Sequence, residues 1–297
     1  MPSFRHDMYI QLTRLYLQED TFDSVEQAAQ SALADRQRDQ PGPPPHLSAR
    51  ITREVGRLGF PVYTVHPANG PEAQTPPIVY LHGGAYVRQI RPQHWTFAAR
   101  LAQATGAQII VPLYPLAPEH TWHDSHEQLL QLILDMPGPR PILMGDSAGG
   151  GLALALAAEL RHEHGVTDLP GIVLFSPWVD LTMPAGDEDY AAADDPWLNA
   201  TNLRFTGRLW AGSEDPADPR ISPAYADLSD LPPTLIFSGS RDVLHGQVLD
   251  VAARLEASGT RCELQVGRGL VHVYPLLAVP EARAAFDTIV TFVSRQA

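Results

Sequence analysis

The sequence predicts an α/β fold in which a mostly parallel central sheet is flanked by helices. Short apolar runs after residue 76 have the length and composition of buried strands. Amphipathic stretches of helical length lie between and after those runs. A Gly-Asp-Ser-Ala-Gly segment at residues 145–149 joins one apolar run to one helical pattern, as a sharp strand-to-helix turn does. Strands that alternate with helices form a largely parallel sheet covered on both faces.

The first 45 residues predict a helical segment followed by a linker. The apolar residues that recur at helical spacing are Tyr9, Leu12, Leu15 and Tyr16. A second helix is expected from about residue 24 to residue 36. Prolines and a glycine at residues 41–45 then break the chain, as in a linker.

The strands and helices of the sheet follow in alternation. The predicted strands are 77–81, 108–111, 141–144, 171–175, 234–238 and 261–266. The predicted helices are 94–105, 123–135, 148–164, 244–258 and 280–295. Residues 58–66 are expected to add an antiparallel hairpin at one edge. The stretch 180–215 is longer than an ordinary crossover and predicts a helical insertion that, with the N-terminal segment, covers the carboxyl ends of the strands.

Composition and charge narrow the function. The chain has 297 residues and a formal net charge of −13, which argues against nucleic acid and anionic membranes as partners. Cys262 is the only cysteine, so no intrachain disulfide or cysteine metal site is expected, and its alternating context predicts a strand residue. No signal peptide is recognised, and the longest apolar stretch, 151–160, is too short to span a bilayer. We therefore expect a cytoplasmic protein that acts on a small molecule.

The segment at residues 145–149 has the pattern of a nucleophile elbow with Ser147 at its apex. Small residues at Gly145 and Gly149 let the backbone turn tightly, so that the serine hydroxyl projects into a cleft. The alternative is a glycine-rich turn with an incidental serine. A serine is a poor nucleophile unless a neighbouring base removes its proton.

Two later strands supply the partners that a serine nucleophile needs. Asp242 follows the strand at 234–238, and His272 lies in the loop after the last strand. The order serine, aspartate, histidine is that of a catalytic triad in this kind of fold. His272 would take the Ser147 proton, and Asp242 would orient the imidazole and stabilise its charged form. The alternatives are a structural or solvated histidine and an aspartate that caps the following helix.

The loop after the strand at 77–81 predicts an oxyanion hole. Its sequence is His82-Gly83-Gly84-Ala85. Glycines let main-chain N–H groups approach a carbonyl oxygen closely, so Gly83 and Gly84 are expected to donate from one side and Ala148 from the other. The alternative is a plain turn after a strand.

Together these motifs resemble the hormone-sensitive lipase family of α/β-hydrolases, of the bacterial carboxylesterase type. The segments that carry the resemblance are His82–Ala85, Gly145–Gly150, Tyr114–His120, Ser176–Leu181 and Ser222-Pro223. The resemblance implies ester hydrolysis without a cofactor and a helical cap. It divides the chain into an N-terminal cap segment and linker at 1–45 and an α/β-hydrolase catalytic domain at 46–297, with a cap insertion at about 180–215. It also makes a homodimer plausible.

Two residues depart from the family pattern. Ala85 stands at the third glycine of the first motif, and Pro115 stands where the family usually has arginine, which removes a donor and a charge. Asp146, before the nucleophile, is expected to orient its neighbours.

The expected function is that of a serine carboxylesterase for short- to medium-chain acyl esters, with no cofactor and no metal. A lactonase or amidase with the same triad, and a non-catalytic ligand-binding protein of this fold, are the alternatives. A metal site at His123, Asp124 and His126 is disfavoured because the spacing is not that of a zinc helix. The aromatic residues that could line the pocket are Trp95, Trp197, Phe205 and Trp210.

Overall fold

The computed structural model of the chain describes residues 2–16, 21–38, 41–55, 58–72, 75–184, 190 and 193–296. The strands are β1 (Ile51–Val55), β2 (Pro61–Val65), β3 (Ile78–Leu81), β4 (Ile109–Pro112), β5 (Ile142–Asp146), β6 (Ile172–Phe175), β7 (Thr234–Gly239) and β8 (Cys262–Gly267). The helices are α1 (Phe4–Tyr16), α2 (Val25–Arg36), α3 (Pro92–Thr105), α4 (His126–Leu134), α5 (Ala148–His162), α6 (Ala200–Ala211), α7 (His245–Ala257) and α8 (Glu281–Ser294).

The described strands form one sheet in the order β1-β2-β4-β3-β5-β6-β7-β8. Strand β2 runs antiparallel to β1 and to β4, whereas strands β3 to β8 are all parallel to one another. The α/β-hydrolase fold that the sequence predicted is therefore confirmed. The edge hairpin begins at Ile51, before the predicted residue 58, because Ile51 already pairs with Val65.

The central strands form the core of the molecule. Every residue of β3, β5, β6 and β7 is buried, as expected for parallel strands covered on both faces. Helix α5 is buried from Ala148 to Ala158, because its small and aliphatic residues pack directly on the sheet. Each fully buried leucine of this helix stabilises the fold by about 1.5–3 kcal/mol relative to an exposed one.

Parallel pairing brings four loops to the same edge of the sheet. Leu81 pairs with Gly145, Asp146 pairs with Phe175, and Gly239 pairs with Gly267. The loops that follow β3, β5, β7 and β8 therefore leave the sheet side by side. This edge is where ligands bind in open α/β sheets.

Helices α1, α2 and α6 lie over this edge, and we call them the cap helices. Helix α2 packs against α6. Ser24 caps α2 by accepting from the Gln27 N–H, and Asn199 caps α6 by accepting from the Asn202 N–H. Helix α6 falls within the predicted insertion at 180–215, of which residues 185–189, 191 and 192 lie outside the described residues. The division into a cap segment and a catalytic domain stays a prediction.

Across the described ranges, no helix combines the length and apolar composition that a bilayer crossing requires. Helix α1 buries His6, Ile10 and Thr13 against the rest of the molecule, while Leu12 and Leu15 are exposed. The helix lies where the sequence predicted it, but its buried face is formed by other residues than the leucines whose spacing predicted it.

Candidate active site

Ser147 lies in a strained turn between β5 and α5. Its φ is 51° and its ψ is −122°, a conformation that non-glycine residues rarely adopt. A Cβ atom at Gly145 would lie 2.3 Å from the carbonyl oxygen of Gly149, and one at Gly149 would lie 2.1 Å from that of Leu81. Glycine is therefore required on both sides of the serine for the turn to form. The strain holds the hydroxyl at the edge where the loops meet.

His272 and Asp242, which the sequence proposed as partners of the serine, are in direct contact. The Nδ1–H of His272 donates to Asp242 Oδ2 at 2.8 Å, and both side chains are buried. Asp242 Oδ1 accepts from the Leu244 N–H at 2.9 Å, so the carboxylate is fixed from two sides. This arrangement leaves Nε2 of His272 to accept a proton. Ser147 and His272 border the same cavity.

The electrostatic surroundings make His272 a stronger base than an isolated imidazole. Burial lowers its pKa, but the hydrogen bond to Asp242 and the surrounding negative charges, of which that of Asp242 is the largest, together raise the pKa above the usual value. The negative charges of Asp195 and Asp146 add to this effect. The imidazolium that forms after proton transfer is therefore stabilised.

Asp146 organises the glycine-rich loop after β3. Its Oδ1 accepts from the Tyr80 hydroxyl at 2.6 Å and from the Gly83 N–H at 3.0 Å, and its Oδ2 lies 3.4 Å from His94 Nε2. Burial raises the pKa of Asp146, but His94, Tyr80 and the Gly83 N–H together lower it below its usual value. The carboxylate therefore stays charged and holds the loop against the elbow.

This contact gives the Gly83 N–H an acceptor within the protein. The sequence predicted that Gly83 and Gly84 both donate to an oxyanion, whereas the Gly83 N–H points to Asp146. Within the described residues, the N–H groups of Gly84 and Ala85 have no protein acceptor. Ala148 is the first residue of α5, so its N–H has no partner inside the helix. Gly84 and Ala85 border the cavity, and the oxyanion hole that the sequence predicted at this loop and at Ala148 stays a prediction.

Buried aromatic rings support the same loop from below. The ring of His82 stacks on Tyr114 at 4.7 Å, and burial lowers the pKa of His82 to about 4, so the imidazole is neutral. The Tyr86 hydroxyl donates to the carbonyl oxygen of Ala148 at 2.8 Å, and its ring stacks on Trp210 at 4.5 Å. These contacts join the glycine-rich loop at residues 82–85 to the turn at Ser147.

The cavity above Ser147 has a volume of about 330 Å³. Its walls come from the glycine-rich loop at residues 82–85, from α2 and α6, and from the loop that carries His272. Of the four aromatic residues considered as lining, Trp197 borders the cavity, with its ring 6.0 Å from that of His272. Trp95 and Trp210 are fully buried in the core instead.

Sequence reasoning missed Arg36 of α2. Its guanidinium donates to the carbonyl oxygens of Val87 and Ala117, at 2.9 and 2.7 Å, and it forms an ion pair with Glu119. This is the segment in which Pro115 replaces the arginine usual in the family. A cap helix thus supplies a cation and several hydrogen-bond donors to that segment. Because Arg36 lies 83 positions before Glu119, the sequence around either residue does not indicate their contact.

His6 and Asp195 were also missed. His6 Nε2 of α1 accepts from the N–H of Val271, next to His272, at 3.3 Å. Burial lowers the pKa of His6, which favours the neutral form that accepts this bond. Asp195 lies close to the Asp242–His272 pair.

The residues considered for a metal are not brought together. His126 Nε2 lies 2.6 Å from Glu159, while His123 faces Glu214 at 3.6 Å. In the part of the chain that the structure describes, no three His, Cys, Asp or Glu side chains are grouped to hold a metal. Cys262 lies in β8 as predicted, half-buried, and burial raises its thiol pKa to about 11.

Comparison with known proteins gives three findings. A family described as alpha/beta hydrolase fold matches residues 78–276. LipR of Mycobacterium tuberculosis is 33% identical over 78% of this chain and 77% of its own length, and an acetyl-hydrolase of Streptomyces hygroscopicus is 32% identical over 72% and 74%. The crystal structure of an esterase from the bacterial hormone-sensitive lipase family superposes with a TM-score of 0.78 at 27% identity, covering 100% of this chain and 99% of that one.

Proposed function

The chain belongs to the hormone-sensitive lipase family of α/β-hydrolases, and from that membership we propose that it is a serine carboxylesterase for short- to medium-chain acyl esters. Esterase and acetyl-hydrolase relatives at about 30% identity support ester hydrolysis. The observation that carries the serine mechanism is the buried Asp242–His272 contact on the wall of a cavity that Ser147 also borders.

Acylation begins with proton transfer from the Ser147 hydroxyl to Nε2 of His272. The serine oxygen attacks the ester carbonyl, and the former carbonyl oxygen becomes an oxyanion. The N–H groups of Gly84, Ala85 and Ala148 stabilise this charge, each contributing about 10²–10³ in kcat. The tetrahedral intermediate collapses when His272 returns its proton to the leaving alcohol oxygen, and an acyl-enzyme remains.

Deacylation repeats the same steps with water. His272 removes a proton from a water molecule, whose oxygen attacks the acyl carbonyl. The second tetrahedral intermediate releases the carboxylic acid and restores the Ser147 hydroxyl. Asp242 keeps the imidazole in the productive tautomer throughout, because its Oδ2 accepts from Nδ1–H.

The size of the cavity supports small substrates. At about 330 Å³ it lies near the lower end of the range for small-molecule pockets, roughly 300–1,000 Å³. The acetyl-hydrolase relative supports a short acyl group. No observation favours a lactone or an amide over an ester. A small-molecule ester is thus the proposed partner, while the cytoplasmic location and the homodimer stay predictions.

The test is the turnover of p-nitrophenyl acetate and hexanoate by the Ser147→Ala variant. We expect kcat/KM to fall by at least about 10⁴, because the nucleophile is lost while the oxyanion donors remain. Ser213→Ala, at an exposed turn, serves as the control and should match the wild type. Ester hydrolysis that persists in folded Ser147→Ala would contradict the proposed mechanism.

A further inference from the structure

The carboxylate of Asp195 joins the segment before α6 to the loop of the catalytic acid. Its Oδ1 accepts from the N–H groups of Trp197 and Leu198, at 2.9 and 3.0 Å. Its Oδ2 accepts from the N–H of Val243 at 3.0 Å. Val243 directly follows Asp242. One carboxylate thus holds the backbone beside the catalytic acid and the backbone that carries Trp197.

The neighbouring Asp194 holds the same loop from its other side. Its carboxylate forms ion pairs with Arg241, which precedes Asp242, and with Arg14 of α1. The Asp194 side chain is 61% exposed, so these pairs lie in solvent. Asp194 and Asp195 therefore engage the residues before and after Asp242, one at the surface and one inside.

The charge of Asp195 is costly where it lies. Burial, together with the negative charge of Asp242, raises the pKa of Asp195 to about 6. A carboxyl group with a raised folded-state pKa stabilises the fold below the unfolded pKa, near 3.8, and this stabilisation is lost as the pH rises through 6. A neutral acceptor could hold the Trp197 and Leu198 N–H groups without that cost. The carboxyl group nevertheless lies where its two oxygens accept from Trp197 and Leu198 on one side and from Val243 on the other.

The groups that face this charge come from several elements. The negative charge of Asp195 contributes to the raised pKa of His272 and also to that of Tyr9 on α1. The titratable and charged groups around Asp195 and His272 are Asp242, Asp146, Tyr9, Asp194, Arg14, Arg241 and His6. Asp242 is hydrogen-bonded to the imidazole, whereas Asp195 acts on it through its charge and through the backbone of Val243.

We propose that Asp195 is a positioning residue of the triad, which fixes the Asp242 loop through the Val243 N–H and adds a second negative charge to the surroundings of His272. This inference rests on the proposed function, because it assigns Asp195 a role in the basicity of the catalytic histidine. Trp197, whose N–H Asp195 holds, borders the cavity beside His272, so the same carboxylate also ties the cavity wall to the catalytic loop.

The test is the pH profile of kcat/KM for p-nitrophenyl acetate in wild type and Asp195→Asn. The acid limb reports the pKa of the free-enzyme base. Removal of a nearby negative charge destabilises the imidazolium, so the acid limb should move to lower pH by about 0.5–1 unit. The amide keeps one oxygen for Trp197 and Leu198 but loses the acceptor for Val243, so kcat should fall about tenfold with little change in KM.

Two further variants separate charge from loop structure. Asp250→Asn removes an equal charge from an exposed position on α7 and should leave the acid limb in place. Asp195→Glu keeps the charge on a longer side chain, so it should restore the acid limb and only part of kcat. The proposal would be overturned if Asp195→Asn kept its acid limb at the wild-type pH and its kcat stayed within twofold of the wild-type value. If that variant does not fold, Asp195→Ser gives the same comparison.

Titration of the His272 imidazole by NMR distinguishes failure of this inference from failure of the proposed function. The His272 pKa should be lower in Asp195→Asn than in wild type whether or not an ester is turned over. A lowered pKa in a protein that hydrolyses no ester would contradict the proposed function while the electrostatic role of Asp195 stands. An unchanged pKa in an active enzyme would overturn the role of Asp195 alone.

Discussion

At the scale of single residues, one buried carboxylate fixes the glycine-rich loop after β3. Asp146 binds the Gly83 N–H and the Tyr80 hydroxyl and stays charged because its pKa is held below the usual value. The loop is thereby fixed before any ester binds. Preorganised donors of this kind stabilise a transition state without reorganisation during the reaction.

Substitutions in this loop separate its packing from its donor role. A Cβ atom at Gly83 would lie 2.3 Å from Asp146 Oδ2, so Gly83→Ala should displace the loop and lower kcat about 10²-fold or more. Ala85→Gly keeps its N–H and suits a φ of 52°, so kcat should stay within about threefold of wild type. Steady-state kinetics on p-nitrophenyl acetate measure both. The reverse ranking of the two variants would contradict the requirement for glycine at position 83.

The sequence indicated Asp242 and His272 because each follows a strand in triad order, and parallel strands end at the same edge. The direction of the Gly83 N–H could not be predicted, since it depends on a side chain 63 residues away. Asp195 carried no signal either. Its partner Val243 lies 48 positions further along the chain, and nothing in the local pattern links the two.

At the scale of elements, α2 packs against α6 and is joined to the body of the protein by Arg36 and by the Asp35–Arg88 ion pair. Arg36 lies in the last turn of the helix. Its guanidinium binds Val87, which follows the glycine-rich loop, and also binds the segment from Leu116 to Glu119. A cation in the last turn also suits the helix dipole. The face of α2 that lines the cavity is positioned by this anchor.

Loss of the anchor should loosen the cap helix. Arg36→Ala leaves the Val87 and Ala117 carbonyls without this donor, which should lower the free energy of unfolding by about 1–3 kcal/mol. KM for p-nitrophenyl esters should rise, because α2 forms part of the cavity wall. Thermal unfolding and kinetics measure the two effects. Arg38→Ala, at an exposed position beyond the helix, is the matched control, and equal effects in both variants would contradict the anchoring role.

Element boundaries show what local pattern can and cannot determine. The predicted helix at 123–135 begins instead at His126. Residues Trp122–Asp124 form a separate tight turn, in which the Thr121 N–H donates to the Asp124 carboxylate. The hairpin extends back to Ile51 because its register is set by pairing with β2. Apolar periodicity located each element, and the hydrogen bonds at its ends decided where it stops.

At the scale of the whole molecule, the sheet positions the loops of the candidate site, and the cap helices α2 and α6 border the cavity above them. Parallel strands bring the loops of Ser147, Asp242 and His272 to one edge, so the three residues of the proposed triad follow the chain order of their strands. His6 of α1 and Asp195 in the segment before α6 bind the backbone beside His272 and Asp242. The fold was predictable from strand and helix alternation, whereas the contacts between cap and loops join segments distant in sequence.

The most direct test of the central claim is intact mass and peptide mapping after reaction with a small organophosphate, alongside p-nitrophenyl acetate turnover. A triad assembled at this edge makes the Ser147 hydroxyl the reactive nucleophile. We predict a single adduct on the peptide that contains Ser147, with turnover lost in proportion to labelling and no adduct in Ser147→Ala. Turnover that survives complete labelling, or an adduct on another residue that abolishes it, would contradict the account.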